Sequence, residues 1–493
     1  MAARLASYCI ALIAFSGAAA APAYAHGFGA RYDLPIPLSF YVFAAGTTVA
    51  LSFVMVALLL RTTPSSGGHP LVVLMRSGWS RRVGAVLAVV ARAVASAYFL
   101  LMIAAGLFGI QSAERNFIVV SVWIVGWVAI SLGSALVGDV WRLLNPWNAL
   151  FAAAERIYLR LHPGRGLKPL ASYPAALDRW PALFLFVAFA WMELVWGGRD
   201  VPARLAQAML AYSGMTWLGM ILFGRQAWLR GAEMFGIVFG IFARFAPLAP
   251  VADAGLAVRL PASGLLDDRD TTPAIMLLVV TLLATVTFDG LLETPLWARV
   301  DIAVLDAPDD SVLWTVFNFS DAGALRFERS IGLLLFVALF CAAYLSICKA
   351  MALAAGGKYP TAALARRFVF TLLPISIAYH IAHYFSYLFN GGQLVIPLLS
   401  DPFGFGWDLI GTASYRPDIG FVGPVLQWYV AVGAIVVGHV IAVYLAHVVA
   451  LSTFVAPRVA LRSQMPIVAL MVGYTMVSLW ILSQPIVETS PGG

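Results

Sequence analysis

The fold is decided by long apolar stretches such as residues 272–293, which read TPAIMLLVVTLLATVTFDGLLE. A helix needs about 20 apolar residues to cross the hydrocarbon core of a bilayer, and this stretch approaches that length before its carboxylates begin. Similar runs recur along the 493 residues, of which 61% are hydrophobic and 11% charged, with a mean hydropathy of +0.88. The sequence therefore predicts an all-α, polytopic bundle of transmembrane helices whose main partner is the lipid bilayer.

The apolar runs predict about ten spans. They are residues 37–60, 84–110, 117–137, 181–197, 204–224, 272–292, 330–354, 368–389, 421–450 and 464–484. Two more apolar segments, near residues 145–161 and 225–250, are interrupted by charged residues. We expect these two to be interfacial or re-entrant helices rather than full spans.

The start of the chain has the features of a secretory signal peptide. Arg4 precedes a short apolar core, and the motif AYA at residues 23–25 is a cleavage site of the A-x-A type. The alternative is an uncleaved first helix, for which the apolar core is short. We expect residues 1–25 to be removed, and residues 26–493 to form a single membrane domain that begins at His26.

The distribution of charge predicts the orientation. Lys and Arg concentrate in alternate connections, which is typical of cytoplasmic loops, whereas the loop at residues 293–329 is rich in Asp. This bias places the mature N-terminus and the acidic loop on the external side. The net charge of +7 is thus explained by membrane topology, and we expect no nucleic-acid partner.

Several common functional motifs do not occur. The sequence contains no Walker A loop, no GxGxxG, no GxSxG and no HExxH motif. Of its three cysteines, Cys341 and Cys348 lie seven residues apart in one apolar run, roughly 10 Å along a helix and too far apart for a disulfide. The usual nucleotide-binding and serine-hydrolase functions therefore have no support in the sequence.

Polar residues inside a predicted span are the strongest functional signal. The stretch ISIAYHIAHYFSYLFNGGQ (375–393) places a polar stripe on one helix face. Its members are Ser376, His380, His383, Tyr387 and Asn390. Ionisable groups in a span cost on the order of 2.5–3.5 kcal/mol each on insertion scales and commonly mark function. His380 and His383, spaced i, i+3, predict a pair of metal ligands; the alternative is hydrogen bonding to neighbouring helices.

The next span supplies two more histidines, His439 near its centre and His447 nearer its predicted cytoplasmic end. Eight residues place them roughly 12 Å apart along the helix, so one ion cannot bind both. We assign His439 as a further metal ligand on a facing helix, with a structural role as the equal alternative. We expect His447 to be structural.

Carboxylates are predicted at a similar depth on two other spans. Asp289 and Glu293 follow Thr281 and Thr285 on one helix face, and Glu193 lies at the external end of another span. A solvated helix end is the alternative for each carboxylate. Because all three fall in the same half of the membrane as the histidine pair, we predict that they share one site with it.

His26 would begin the mature chain on that same side. An N-terminal histidine offers its amine and its imidazole together as a chelating pair, and about ten residues separate it from the first span. We predict that His26 and Glu193 join His380, His383 and His439 as metal ligands. The alternative for His26 is that the cleavage site simply tolerates histidine.

Four motifs resemble a family of bacterial integral membrane proteins named fenitrothion hydrolases. They are AHGFGARYDLPIPL (25–38), GDVWRLLNPWN (138–148), TFDGLLETPLW (287–297) and YHIAHYFSYL (379–388). The resemblance covers nearly the whole chain from His26. It implies a protein of the bacterial inner membrane that hydrolyses a small apolar organophosphorus triester at its aryl ester bond.

Such a hydrolase is expected to use a divalent transition metal, with zinc, copper and iron as candidates. The metal would activate water and polarise the phosphoryl group, while Asp289 or Glu293 acts as general base or further ligand. The competing prediction is a copper-handling protein or other metal permease without hydrolase activity, or a redox subunit with a b-type haem held between two helices. A structural subunit of a larger complex is the third alternative, and the sequence leaves room for a partner subunit in the membrane.

Overall fold

A computed structural model describes residues 34–61, 72–74, 78–163, 166–251, 255–268, 270–307 and 320–484. The chain is mostly helical. In chain order the helices are α1 Leu38–Leu59, α2 Gly78–Phe108, α3 Phe117–Leu136, α4 Val140–Leu144, α5 Pro146–Leu161, α6 Trp180–Leu194, α7 Pro202–Phe223, α8 Arg225–Gly231, α9 Met234–Ala243, α10 Pro273–Leu292, α11 Pro295–Leu305, α12 Asp321–Ala354, α13 Thr361–Phe368, α14 Leu373–Asn390, α15 Val395–Ser400, α16 Pro424–Thr453 and α17 Pro457–Ser483. The predicted signal peptide and His26 lie outside the described residues and stay predictions.

Nine helical segments in the described ranges are long and apolar enough to cross a membrane. They are α1, α2, α3, α7, α10, α12, α16, α17 and the segment Thr361–Ser400, which contains α13, α14 and α15. Each corresponds to a predicted span. The described architecture is therefore that of a multi-pass membrane protein.

The tenth predicted span, residues 181–197, is a shorter helix. α6 has 15 residues and ends at Leu194, short of the roughly 20 residues of a simple span. Two glycines follow it at residues 197 and 198, and the Arg199 side chain donates to the Glu193 carbonyl oxygen at 2.8 Å. This contact satisfies a carbonyl group that the end of the helix leaves free.

α14 lies at the centre of the bundle. In the apolar stretch of the segment Thr361–Ser400, which contains α14, 83% of the residues are buried. In the apolar stretch of α12 only 17% are buried, so α12 is peripheral. α14 packs mainly on α16 and α10. Its backbone comes so close to α16 that a Cβ at Gly438 would lie 2.4 Å from the Ala378 Cβ and 2.7 Å from the Pro374 carbonyl oxygen. Only glycine permits this approach, and it brings polar side chains on α14 into the interior.

The predicted non-spanning segment at residues 225–250 contains two short helices and a strand. α8 and α9 meet at Glu233, and β2 Leu248–Val251 follows α9. β2 pairs antiparallel with β3 Gly255–Val258, which pairs in turn with β1 Val72–Val73. Glu233 contacts Tyr212 of α7, 11 residues and roughly 16 Å along that helix from its last residue. The junction of α8 and α9 therefore inserts into the bundle.

The other predicted non-spanning segment, residues 145–161, is the separate helix α5. Asn145 caps it by accepting from the Asn148 N–H at 2.9 Å. Arg225 then binds its outer face, contacting the Asn148 side chain at 3.1 Å and the Glu155 carboxylate at 3.4 Å. These contacts fix α5 against the start of α8.

Candidate functional site

Three helices bring four polar side chains into direct contact near the C-terminal end of α10. The His383 Nε2 atom of α14 lies 2.9 Å from the Asp289 Oδ2 atom of α10. The Tyr384 hydroxyl donates to the same Asp289 oxygen at 2.7 Å and lies 3.2 Å from the Glu193 Oε1 atom of α6. We call Glu193, Asp289, His383 and Tyr384 the acid–base site.

The hydrogen bonds indicate where the protons lie. A tyrosine hydroxyl has one proton to donate, and the shorter contact assigns it to Asp289. The same hydroxyl is also placed to donate to Glu193 at 3.2 Å, so two carboxyl groups share one donor, an arrangement that favours a proton on Glu193. This assignment also avoids two carboxylate charges on one hydroxyl group. The contacts thus favour a protonated Glu193 beside an Asp289–His383 pair.

The acid–base site is partly exposed at the surface of the protein. The side chains of His383 and Asp289 are 11% and 20% exposed. Behind them, the loop after α6 is held by the bond from Arg199 to the Glu193 carbonyl oxygen and by Trp123 of α3, whose indole donates to the Arg199 carbonyl oxygen at 3.0 Å. The position of Glu193 is therefore supported by a side chain from a fourth helix.

Glu293 ends α10 one turn beyond Asp289, is half-buried, and is near enough to His383 to interact with it electrostatically. Thr281 and Thr285, which were predicted to share its polar face, donate to carbonyl oxygens of α10 itself. The C-terminal part of the predicted polar face on α10, with Asp289 and Glu293, therefore lies at the acid–base site. In its N-terminal part, the threonine hydroxyls are bonded within the helix.

The polar stripe on α14 divides between several neighbours. His380 is 2% exposed and lies between the rings of Trp127 and Phe242, with its Nδ1 atom 2.9 Å from the Ser376 carbonyl oxygen. The Asn390 side chain bonds the backbone of Val422. The His380 ring also lies 5.7 Å from the ring of Tyr384, and the Tyr387 ring lies 6.4 Å from it. The middle of the stripe therefore borders the acid–base site, whereas Asn390 contacts the segment before α16.

His439 is also placed away from the acid–base site. It is fully buried in α16, its Nδ1 atom lies 2.8 Å from the Ile435 carbonyl oxygen, and its ring lies beside that of Tyr474 at 5.9 Å. His380 and His439 share none of these ring neighbours. The Nε2 atoms of both rings have no hydrogen-bond partner among the described residues, and the haem alternative stays a prediction.

The predicted metal ligands do not converge in the described part of the chain. There, no group of three or more His, Cys, Asp or Glu side chains is placed to hold a metal ion. At the acid–base site, the Tyr384 hydroxyl lies between Glu193 and Asp289, where an ion shared by the two carboxylates would bind. The described side chains are thus not grouped around one ion, and the divalent metal, with His26 among its ligands, stays a prediction.

Two residues of this region were not predicted as functional from the sequence. Tyr384 adjoins His383 but lies beside the predicted stripe, and its role depends on two other helices. Arg199 follows two glycines directly after an apolar run, a signal for a charged group at a span end. Neither contact can be read from spacing along the chain.

Glu233 was also not predicted as functional, and its carboxylate accepts several hydrogen bonds from described residues. It is 0% exposed and caps α9 by accepting from the N–H groups of Phe235 and Gly236. It also accepts from Asn145, Tyr212 and, at 3.4 Å, Trp141. With all these donors satisfied inside the protein, Glu233 is best explained as the anchor of the inserted junction.

No family model matches the chain, and no curated protein or solved structure matches it.

Proposed function

We propose that the chain is a membrane enzyme that hydrolyses a small apolar phosphotriester at the acid–base site. The single observation that carries the proposal is the contact of the Asp289–His383 pair with Tyr384, which also contacts Glu193. A proton acceptor and a proton donor thus meet within one hydrogen-bonded group, the requirement for general acid–base catalysis.

In this reaction His383 is the base. Its Nε2–H bond to Asp289 leaves the lone pair on Nδ1, which takes a proton from water as the water oxygen attacks phosphorus. The bond from phosphorus to the aryl oxygen breaks. The aryloxide leaves as a phenol after receiving a proton from Glu193, directly or through the Tyr384 hydroxyl, and the other product is a phosphodiester. Asp289 orients His383 and stabilises its positive charge.

An apolar groove supports access for such a substrate from the lipid. A groove of about 350 Å³ lies between α6 and α12 and is lined by Phe184, Trp191 and Leu333, among others. Leu333 packs in one cluster with Phe288, the residue before Asp289. An apolar aryl ester that enters the groove from the bilayer would then be separated from the acid–base site by one layer of side chains.

The resemblance to the fenitrothion hydrolase family supports the choice of substrate. Two of the motifs that carry it, residues 287–297 and 379–388, contain Asp289, His383 and Tyr384. Within the proposal the protein is in a bacterial inner membrane after loss of its signal peptide, with the acid–base site in the external half. The proposed reaction is written with the residues of the acid–base site alone, and the divalent transition metal stays a prediction from the sequence.

The test is nitrophenol release from fenitrothion by purified protein in lipid nanodiscs. We expect turnover by the wild type, and a loss on the order of 10²–10⁴-fold in kcat for Asp289→Asn and His383→Gln, the range that general acid–base catalysis contributes. Tyr384→Phe and Glu193→Gln are expected to lower kcat most for substrates with poor leaving groups, because both affect protonation of the aryloxide.

The matched control is His162→Ala, which removes a histidine that stacks on Tyr158 away from the site. It is expected to keep wild-type turnover. Absence of turnover by the folded wild type, or equal turnover by Asp289→Asn and His383→Gln, would contradict the proposal. Turnover that disappears after chelation and returns with zinc would instead favour the metal-dependent reaction.

A further inference from the structure

A second polar cluster lies in the core between α10, α14, α16 and α17. It consists of Thr287, Tyr379, His439, Tyr474 and Ser478, one from each of the first three helices and two from α17, and we call it the core cluster. The hydroxyls of Thr287 and Tyr474 bond to each other, and the rings of His439 and Tyr474 lie 5.9 Å apart. Nothing in the proposed reaction uses this cluster.

Three of its polar atoms have no protein partner with hydrogen-bond geometry. Among the described residues these atoms are the Tyr379 hydroxyl, the His439 Nε2 atom and the Ser478 hydroxyl, which lies near the Tyr474 hydroxyl but outside hydrogen-bond geometry. Each of the three residues is 0% exposed. Buried polar groups in native proteins are nearly always bonded to protein, to ordered water or to an ion. Three such atoms from three adjoining helices therefore point to a bound polar molecule.

The chemistry of the cluster favours water over an ion. The His439 Nδ1 atom contacts a carbonyl oxygen, which only accepts, so the neutral ring carries its proton on Nδ1 and its lone pair on Nε2. The other groups are hydroxyls, and none of the five members carries a carboxylate. A water molecule can donate to Nε2 and exchange hydrogen bonds with hydroxyls, whereas a cation would have only neutral ligands.

The core cluster also adjoins the acid–base site. The Tyr379 hydroxyl lies against α10, where a Cβ built on Gly290 would be 2.6 Å from its oxygen. Gly290 is the residue after Asp289, and the rings of Tyr379 and His383 are 6.3 Å apart. Tyr379 thus stands between the two polar groups.

We propose that the core cluster is an internal water site with Tyr379 and His439 as its two ends. This site extends the polar interior from the acid–base site to the middle of the bundle. His439 is near the midpoint of the 30-residue helix α16. A row of hydroxyls, water and imidazole of this kind is the arrangement that carries protons inside membrane proteins. The water site does not depend on hydrolysis at the acid–base site.

The first test is an experimental structure of the wild type at a resolution that shows ordered water. We expect density about 2.6–3.2 Å from the Tyr379 hydroxyl and from the His439 Nε2 atom. A dry core with a protein partner for each of these atoms would overturn the proposal. Density at shorter distances that follows the sodium or potassium concentration would also overturn it, in favour of a cation.

The second test is the accessibility of a cysteine at Ser478 to silver ions, which are small enough to enter narrow hydrated spaces. The variant is Ser478→Cys in a chain whose three native cysteines are alanine, and the readout is protection from maleimide after denaturation. The matched control is Leu479→Cys, since Leu479 is also 0% exposed but packs in the apolar core.

Thiols in apolar surroundings are inert, because only the thiolate reacts. We expect silver to block position 478 at least about tenfold faster than position 479. Adding Tyr379→Phe should slow the reaction at position 478, because it removes one hydrogen-bonding end of the water site. Equal rates at both positions in folded protein would refute the proposal, and this outcome is independent of whether fenitrothion is hydrolysed.

Discussion

Gly290→Ala is a direct test of the packing beside the acid–base site. The new methyl group would lie 2.6 Å from the Tyr379 hydroxyl oxygen and 2.9 Å from the Ile481 Cγ2 atom, whereas such atoms pack at roughly 3.5 Å or more. Tyr379 is 0% exposed and is held in the interior of the bundle. Overpacking of this kind costs about 1–3 kcal/mol, so we expect the melting temperature in detergent to fall by a few degrees.

A double variant separates this clash from any general effect of alanine. Gly290→Ala with Tyr379→Phe lacks the hydroxyl that the methyl group meets, so it should recover part of the loss, with the Ile481 contact remaining. Gly433→Ala is the control, because a Cβ there has no neighbour within 4 Å. It should be neutral or stabilising, by up to about 1 kcal/mol. A wild-type melting temperature for Gly290→Ala would refute the reasoning.

Three further changes are expected to alter the melting temperature. His447→Leu should lower it, because the ring contacts the Leu60 carbonyl oxygen at 2.8 Å and the Gln464 Oε1 atom at 3.0 Å, and an unpaired buried acceptor costs about 1–3 kcal/mol. Glu233→Gln should also lower it, since an amide nitrogen replaces an oxygen that accepts from several donors. Asp139→Asn should raise it at pH 7, because burial raises the pKa of Asp139 and asparagine caps a helix equally well.

The pH dependence of Asp139→Asn follows from the sign of that shift. A carboxyl group whose pKa is higher in the folded state binds its proton more tightly there, so the wild type loses stability as the pH rises above the unfolded value of about 3.9. The advantage of asparagine should therefore be absent near pH 3 and present at pH 7. A constant difference across this range would contradict the assignment. For His447→Leu and Glu233→Gln, unchanged melting temperatures would show that these bonds do not support the fold.

Much of the architecture was predictable because a span leaves a local signal. Each of the nine long apolar helical segments was expected from an apolar run near 20 residues. α6 was overestimated, since the apolar run around it continues past the residue at which the helix ends. The contact from Arg199 to the Glu193 carbonyl oxygen, which accompanies this end, depends on the fold of the following loop.

The site was predictable only in part. Glu193, Asp289 and His383 were correctly expected to come together. His380 and His439 were also predicted to join them. The His380 ring lies 5.7 Å from that of Tyr384, whereas the His439 ring lies beside Tyr474 of α17. Helical spacing shows which residues share a face of α14. It does not show which neighbouring helix covers each part of that face.

The sequence by itself determined the class of protein, the approximate spans and the three polar stretches that supply the acid–base site, because hydrophobicity and helical period act over a few turns of chain. Only the tertiary structure decided that Tyr384 contacts both Asp289 and Glu193, and that Glu233 anchors an inserted junction. These contacts join residues 21 to 191 positions apart. Their physical cause is the packing of whole helices, in which a close approach such as that at Gly438 sets the rotation of α14 and hence the partner of every polar side chain on it.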